Sequence, residues 1–181
     1  MKKIISGALA TSLLAASAFA FSVDGEPSVK FVGYKLANKT ALEGTFKDLG
    51  FKSAENANFT DFLKSFEFNI DPKNINTKLP DRDKRIGIIF DGNVIAAKVV
   101  SANGDEKAGE LEVEVGVKGN SKTYKTQYAV EDGKLKAKIG IDLLADLKLD
   151  ETFAKFAAAS KAFHAGKSYP DVEISLEAKV K

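Results

Sequence analysis

The chain has 181 residues, 27 Lys+Arg against 25 Asp+Glu, and a hydrophobic share of 44%. Lys2 and Lys3 account for the whole excess of positive charge, so residues 21–181 carry no net charge and lack the basic footprint of a nucleic-acid binder. Cysteine is absent, which excludes disulfides, thiol nucleophiles and thiolate metal sites and leaves packing alone to hold the fold.

The first twenty residues read as an address. Lys2 and Lys3 are followed by an apolar run from Ile4 to Leu14, and Ala18-Phe19-Ala20 ends it as a small-x-small cleavage site. This is the pattern of a secretory signal peptide cut after Ala20, which predicts export, with the periplasm as first choice and secretion as the alternative. No second apolar run reaches the length of a bilayer span, so no integral membrane segment is expected in residues 21–181. That remainder fits one domain large enough to bury a core.

Eight segments alternate apolar and polar residues with a period of two, which puts one face of a strand in oil and the other in water. The first, over residues 28–36, carries Val29 and Phe31 on one face. The second, over 40–49, sets Leu42, Gly44 and Phe46 against Glu43, Thr45 and Lys47, and a glycine inside a strand signals a bend or a close approach. Asn58 or Thr60 caps a short helix that ends near Ser65, with Phe59, Phe62 and Leu63 as its apolar side. The third strand, 65–71, turns Phe66, Phe68 and Ile70 inward. Residues 72–84 read as a polar connection and residues 86–90 as a helical turn. Four strands follow over 94–101, 110–118, 122–130 and 134–141, separated by Asn103-Gly104-Asp105, Gly119-Asn120 and Asp132-Gly133, the residues that hairpin turns demand. After a small turn over 142–147, Asp150 caps a helix with Phe153, Phe156, Ala157 and Phe163 at helical spacing, ended by Gly166. The last strand, 171–181, has Val172, Ile174, Leu176, Ala178 and Val180 on one face. Together these predict a mainly β fold: an eight-stranded antiparallel, lipocalin-like barrel with one or two short helices and a longer one near 150–165 that covers one end.

The inward set is Phe31, Leu42, Phe46, Phe66, Phe68, Ile70, Leu111, Val113, Tyr124, Tyr128, Leu135, Ile139, Ile174 and Leu176. Eight strands enclose a space that side chains fill or that holds one small ligand. Tyr124 and Tyr128 lean toward a pocket, because buried phenols need polar partners. The candidate ligand-binding residues are this set without Ile174 and Leu176, joined by Arg82 and Asp83 for a polar head group. His164 is the only histidine and stands apart from any second metal ligand or activated nucleophile, so it reads as structural or solvated. Glu110, Glu112 and Glu114 form a ladder on the wet face. No phosphate loop, dinucleotide fingerprint or calcium loop is present, and no cofactor or metal site is expected. Asn38-Lys39-Thr40 and Asn58-Phe59-Thr60 match the N-glycosylation triplet, which recurs by chance. Without a nucleophile–base pair the chain is not expected to be an enzyme.

The stretch from Phe66 to Thr77, followed by Arg82-Asp83, resembles the signature of the YceI-like family. Val29 to Phe31 with Leu42-Glu43-Gly44-Thr45-Phe46 is similar to that family's opening hairpin, and Gly166 to Ile174 resembles its closing strand. The resemblance implies an eight-stranded lipocalin-like barrel with a long apolar channel for polyisoprenoid, quinone-like or fatty-amide chains. It also implies a periplasmic or secreted and often homodimeric protein. The segment Ile86-Gly87-Ile88-Ile89-Phe90-Asp91 departs from the family's acidic-aromatic step, so one side of the channel mouth is expected to differ. The expected function is therefore a periplasmic carrier of a long-chain amphiphilic lipid. The alternative is a barrel with a filled core acting through its surface as an interaction or stress-response protein.

Overall fold

A computed structural model describes residues 20–181. The expected signal peptide therefore lies, but for its last residue, outside the described residues. The described part is mainly β, with nine strands in one antiparallel sheet and three helices. In chain order these are β1 (Ser28–Lys35), β2 (Thr40–Phe46), α1 (Phe59–Lys64), β3 (Glu67–Ile70), β4 (Ile75–Asn76), α2 (Pro80–Gly87), β5 (Ile95–Gly104), β6 (Ala108–Val117), β7 (Asn120–Glu131), β8 (Lys134–Asp142), α3 (Asp150–Ser160) and β9 (Ser168–Lys179).

The sheet runs in the order β3-β5-β6-β7-β8-β9-β1-β2-β4. The lipocalin-like β fold expected from alternation is the one observed, with two differences. A ninth strand exists, the two-residue β4, too short to leave a period-two signal. The edge strands β3 and β4 are consecutive in sequence, joined by the 3-10 turn Pro72–Asn74, so the covalent chain itself brings the ends of the curled sheet together.

The hairpin turns follow from residue type. Lys118-Gly119 and Asp132-Gly133 both have positive φ at each central position, the turn geometry that matches strand twist. A register shift at Val99/Ser101 opposite β6 lets β5 continue to Gly104, three residues beyond its expected end. Such a bulge re-phases the strand, so Ala102 pairs with the buried Leu111 where simple alternation would have turned it outward. Glu112 and Glu114 do face water, paired across strands with Lys125 and Lys98 at 3.1 Å each.

The helices differ more from expectation. Asn58 caps α1, its side chain accepting from the Asp61 N–H at 2.9 Å. Helix α2 starts at Pro80, inside what reads as a polar connection over 72–84, and runs on into the expected helical turn over 86–90. Pro80 opens it, Asp81 and Asp83 sit in the first turn, and Lys84 and Arg85 in the last, all favourable to the helix dipole. No α2 residue is buried, so no apolar periodicity announced it. In α3 the N-cap is Leu149 rather than Asp150, which lies in the first turn, and the helix proper ends at Ser160 before a run of turns closed by Gly166 at positive φ.

Candidate functional site

Two apolar clusters sit at opposite ends of the curled sheet. The first surrounds α1: Phe59, Phe62, Leu63 and Phe66 pack with Phe68, Leu111, Tyr128, Leu135 and Ala178. The second lies under α3: Phe153 and Phe156 pack with Ile89, Val115, Val117, Ile141, Leu143, Leu147 and Leu149. Thr152 pins α3 there by donating to the Ile89 carbonyl at 2.7 Å.

Between the clusters lies a cavity of about 200 Å³. Nine of the fourteen sequence-predicted residues line it: Phe31, Leu42, Phe46, Phe68, Ile70, Arg82, Leu111, Val113 and Ile139. Ile174 and Leu176 line it too. Many inward side chains of the middle tier, among them Leu42, Phe46, Val113, Ile139, Ile174 and Leu176, are only partly buried. Strand geometry turns them inward, and the surface they retain faces the cavity. Gly44 leaves room for the Phe31 ring at this wall: a Cβ there would stand 2.2 Å from the ring. The close approach expected of a mid-strand glycine is therefore a ring–backbone contact.

Five predicted residues do not line the cavity, and each has a physical reason. Phe66 and Leu135 are 0% exposed in the packed α1 end, Phe66 edge-on to both Phe51 and Phe62. Tyr128 donates its hydroxyl to the Asp105 carbonyl at 2.6 Å, and Tyr124 donates to Asp146 at 2.9 Å. The phenols thus find their polar partners in the protein rather than in a pocket. Burial, with Asp146 adding to it, pushes the Tyr124 hydroxyl well above the ordinary phenol range. Asp83 is taken up by Thr77, accepting from its backbone N–H at 2.8 Å and from its hydroxyl.

The α3 end of the cavity has a polar mouth. Tyr34 and Lys35 reach it from the end of β1, Arg82 and Arg85 from α2, Ser160 and His164 from α3 and the turn after it, and Tyr169 from the start of β9. Lys98 and Lys138 also line the wall, but Glu114 and Glu173 pair with them. Among the described residues no Asp or Glu lines the cavity. Among the described residues no ion pair engages Lys35, Arg82 or Arg85. Arg85 instead lies 4.1 Å from the ring centroid of the exposed Phe163.

His164, read from sequence as structural or solvated, is 6% exposed and sits on the cavity wall. Its Nδ1 is 2.7 Å from Ser168 Oγ, and its ring meets Phe156 edge-on. Burial pushes its pKa down, and the charges of Lys35 and Arg85 act in the same direction. Ser168 itself does not line the cavity. Ser160 is 1% exposed, and its hydroxyl has no hydrogen-bond partner among the described residues. Sequence reading missed Lys35, Arg85, Ser160 and His164. The spacing of Arg82 with Arg85, and of Ser160 with His164, was the signal at hand, since such pairs share one side of a helical turn.

No family model matches the chain, and no curated protein matches it. Solved structures do. A polyisoprenoid binding domain from Saccharophagus degradans superposes with TM-score 0.63 at 15% identity, covering 90% of this chain and 98% of that one. BcnA of Burkholderia cenocepacia gives 0.58 at 13% identity, over 88% of this chain and 99% of that one. A mutant CJ YCEI protein gives 0.52 at 15% identity, over 76% and 83%. The chain has the YceI-like fold.

Within that YceI-like fold, the segment that carried the sequence resemblance forms a clamp between β4 and α2. Arg82 Nε donates to Thr77 Oγ1 at 2.7 Å, and its Nη2 donates to the Thr77 carbonyl at 2.6 Å, while the Thr77 hydroxyl donates onward to Asp83. Thr77 is 6% exposed, so these bonds satisfy a polar group that burial would otherwise penalise. The same bonds fix the Arg82 side chain at the mouth. Among the described residues no cluster of three or more His, Cys, Asp or Glu is placed to hold a metal, and no helix is long and apolar enough to cross a membrane.

Proposed function

We propose that this protein is an exported, periplasmic carrier or sequestering protein for a long-chain amphiphilic lipid of polyisoprenoid, isoprenoid-quinone or fatty-amide type. The observation that carries the reading is the apolar cavity, ringed by Phe, Leu, Ile and Val, with a polar mouth at its α3 end. Burial of apolar surface is worth about 25 cal/mol per Å², so an enclosed chain gains many kcal/mol before ordering costs. A polar mouth then orients the head group. The similarity in fold to a polyisoprenoid binding domain supports the same ligand class.

The test is mass spectrometry on the protein purified from its own host. A long-chain lipid in the organic extract, and a matching mass shift in the native spectrum, are expected. A bare polypeptide that also fails to bind added prenyl lipids overturns the reading. The cellular part is checked separately: a periplasmic fraction should yield a chain that starts at Phe21, and a chain that retains Met1 in the cytoplasm refutes export.

A further inference from the structure

We infer that the mouth between α2, α3 and the paired ends of β1 and β9 is a head-group site for an anion, a carboxylate or a phosphate monoester carried at the end of a single long chain. This rests on the lipid-binding reading and replaces its quinone and amide head groups with a charged one. Three observations carry it. The cationic side chains of Lys35, Arg82 and Arg85 converge on the mouth from two elements, without a carboxylate on the cavity wall and without an ion-pair partner among the described residues. Ser160 presents a hydroxyl at this wall that is 1% exposed and has no partner among the described residues. A buried unpaired donor costs free energy unless a ligand accepts from it. His164 has Nδ1 tied to Ser168, which leaves Nε2 as the ring nitrogen for a ligand.

The chemistry of these groups selects among head groups. An anion accepts from guanidinium, ammonium and hydroxyl together, and charge-assisted hydrogen bonds are about twice as strong as neutral ones. A quinone ring or an amide brings no charge to balance the cations. Arg82 is held in place by the Thr77 clamp, so little ordering remains to be done on binding.

The test uses the delipidated protein and two matched pairs of probes: geranylgeranyl phosphate with geranylgeraniol, and hexadecanoate with hexadecanamide. Calorimetric titration should show the charged member of at least one pair binding about tenfold tighter or more. The pair with the larger preference tells phosphate from carboxylate. Equal affinity within both pairs overturns the anion site and leaves the lipid reading intact, whereas failure of all four probes overturns both. Arg85→Gln and Ser160→Ala should each shrink the preference toward unity. Ser160→Ala should also leave the unfolding midpoint of the ligand-free protein unchanged or raised, because it removes an unsatisfied hydroxyl. A lowered midpoint with an undiminished preference would mark Ser160 as structural and overturn its role.

The single histidine gives an independent readout. The groups facing its side of the cavity are Tyr34 and Lys35 on β1, Arg82 and Arg85 on α2, Ser160 on α3, and Ser168 and Tyr169 on β9. An anion added there raises the imidazole pKa. The proton resonances of His164 should therefore titrate at higher pH in the anion complex than in the free protein, and anion affinity should rise as pH falls through that interval. An unmoved titration on saturation with the tighter-binding probe would place the head group elsewhere.

Discussion

The two ends of the barrel use the same device to different effect. At each, a short helix lays phenylalanines over the open edge of the sheet. Under α1 the rings interlock: Phe62 lies 5.1 Å from Phe66 and 6.0 Å from Phe59, and Phe62, Leu63 and Phe66 are 0% exposed. Under α3, Phe153 and Phe156 stand 5.6 Å apart and both border the cavity. One end is a plug and the other a lid. The lesson is that filled barrel and open barrel are not exclusive: a packed end supplies the stability that a cavity at the other end lacks. The α1 end is also the better capped, since Asn58 satisfies a helix N–H with its side chain whereas Leu149 does not.

This contrast can be broken in the order of its size. Phe62→Ala should be the most damaging change, because its site is closed on all sides. The loss expected in denaturant unfolding is about 3–5 kcal/mol, with or without lipid. A loss under about 1 kcal/mol would mean that the α1 end is loose and the plug does not exist. Phe153→Ala removes a ring that already borders open space, so the new void merges with an existing one. Its cost in ligand-free protein should be only about 1–2 kcal/mol, with a clear change in lipid affinity. A cost equal to that of Phe62→Ala, with affinity unchanged, would make both ends plugs.

The smallest effect concerns pH. His164 has a native pKa held below the ordinary 6.5 by burial and by Lys35 and Arg85, so the unfolded chain takes up its proton first as pH falls. Stability of the ligand-free protein should therefore be full above 6.5, decline as pH drops from there to the native value, and level off below it. His164→Gln should flatten this part of the profile in denaturant titrations at several pH values. A decline that persists in the variant must come from carboxylates instead.

Much of this was legible beforehand. Alternation located eight strands, because one wet face and one oily face leave a period-two record in residue type. The Asn58 cap and the Asp132-Gly133 turn were readable from local backbone chemistry, whereas the other turn centres on Lys118-Gly119, one residue before the Gly119-Asn120 read from sequence. What failed to show had no local signature. Helix α2 buries nothing, β4 has two residues, and the β5 bulge resets the phase of its own strand. Tyr124 and Tyr128 were predicted on the cavity because their hydroxyls need partners. That need was real, but Asp146 and Asp105 meet it from turns distant in sequence.

By itself, then, the sequence determined which faces of the strands turn inward, since side-chain direction in a strand is fixed by backbone geometry residue by residue. It also determined that the molecule has a large aromatic and aliphatic interior and no thiol chemistry. Only the tertiary structure decided which inward residues touch one another and which touch empty space, because that depends on how closely α1 and α3 settle onto a curled sheet. It alone brought Lys35, Arg85, Ser160 and His164 to one mouth. These residues come from three separate stretches of the chain, and their charges and hydroxyls act on one another across space rather than along the backbone.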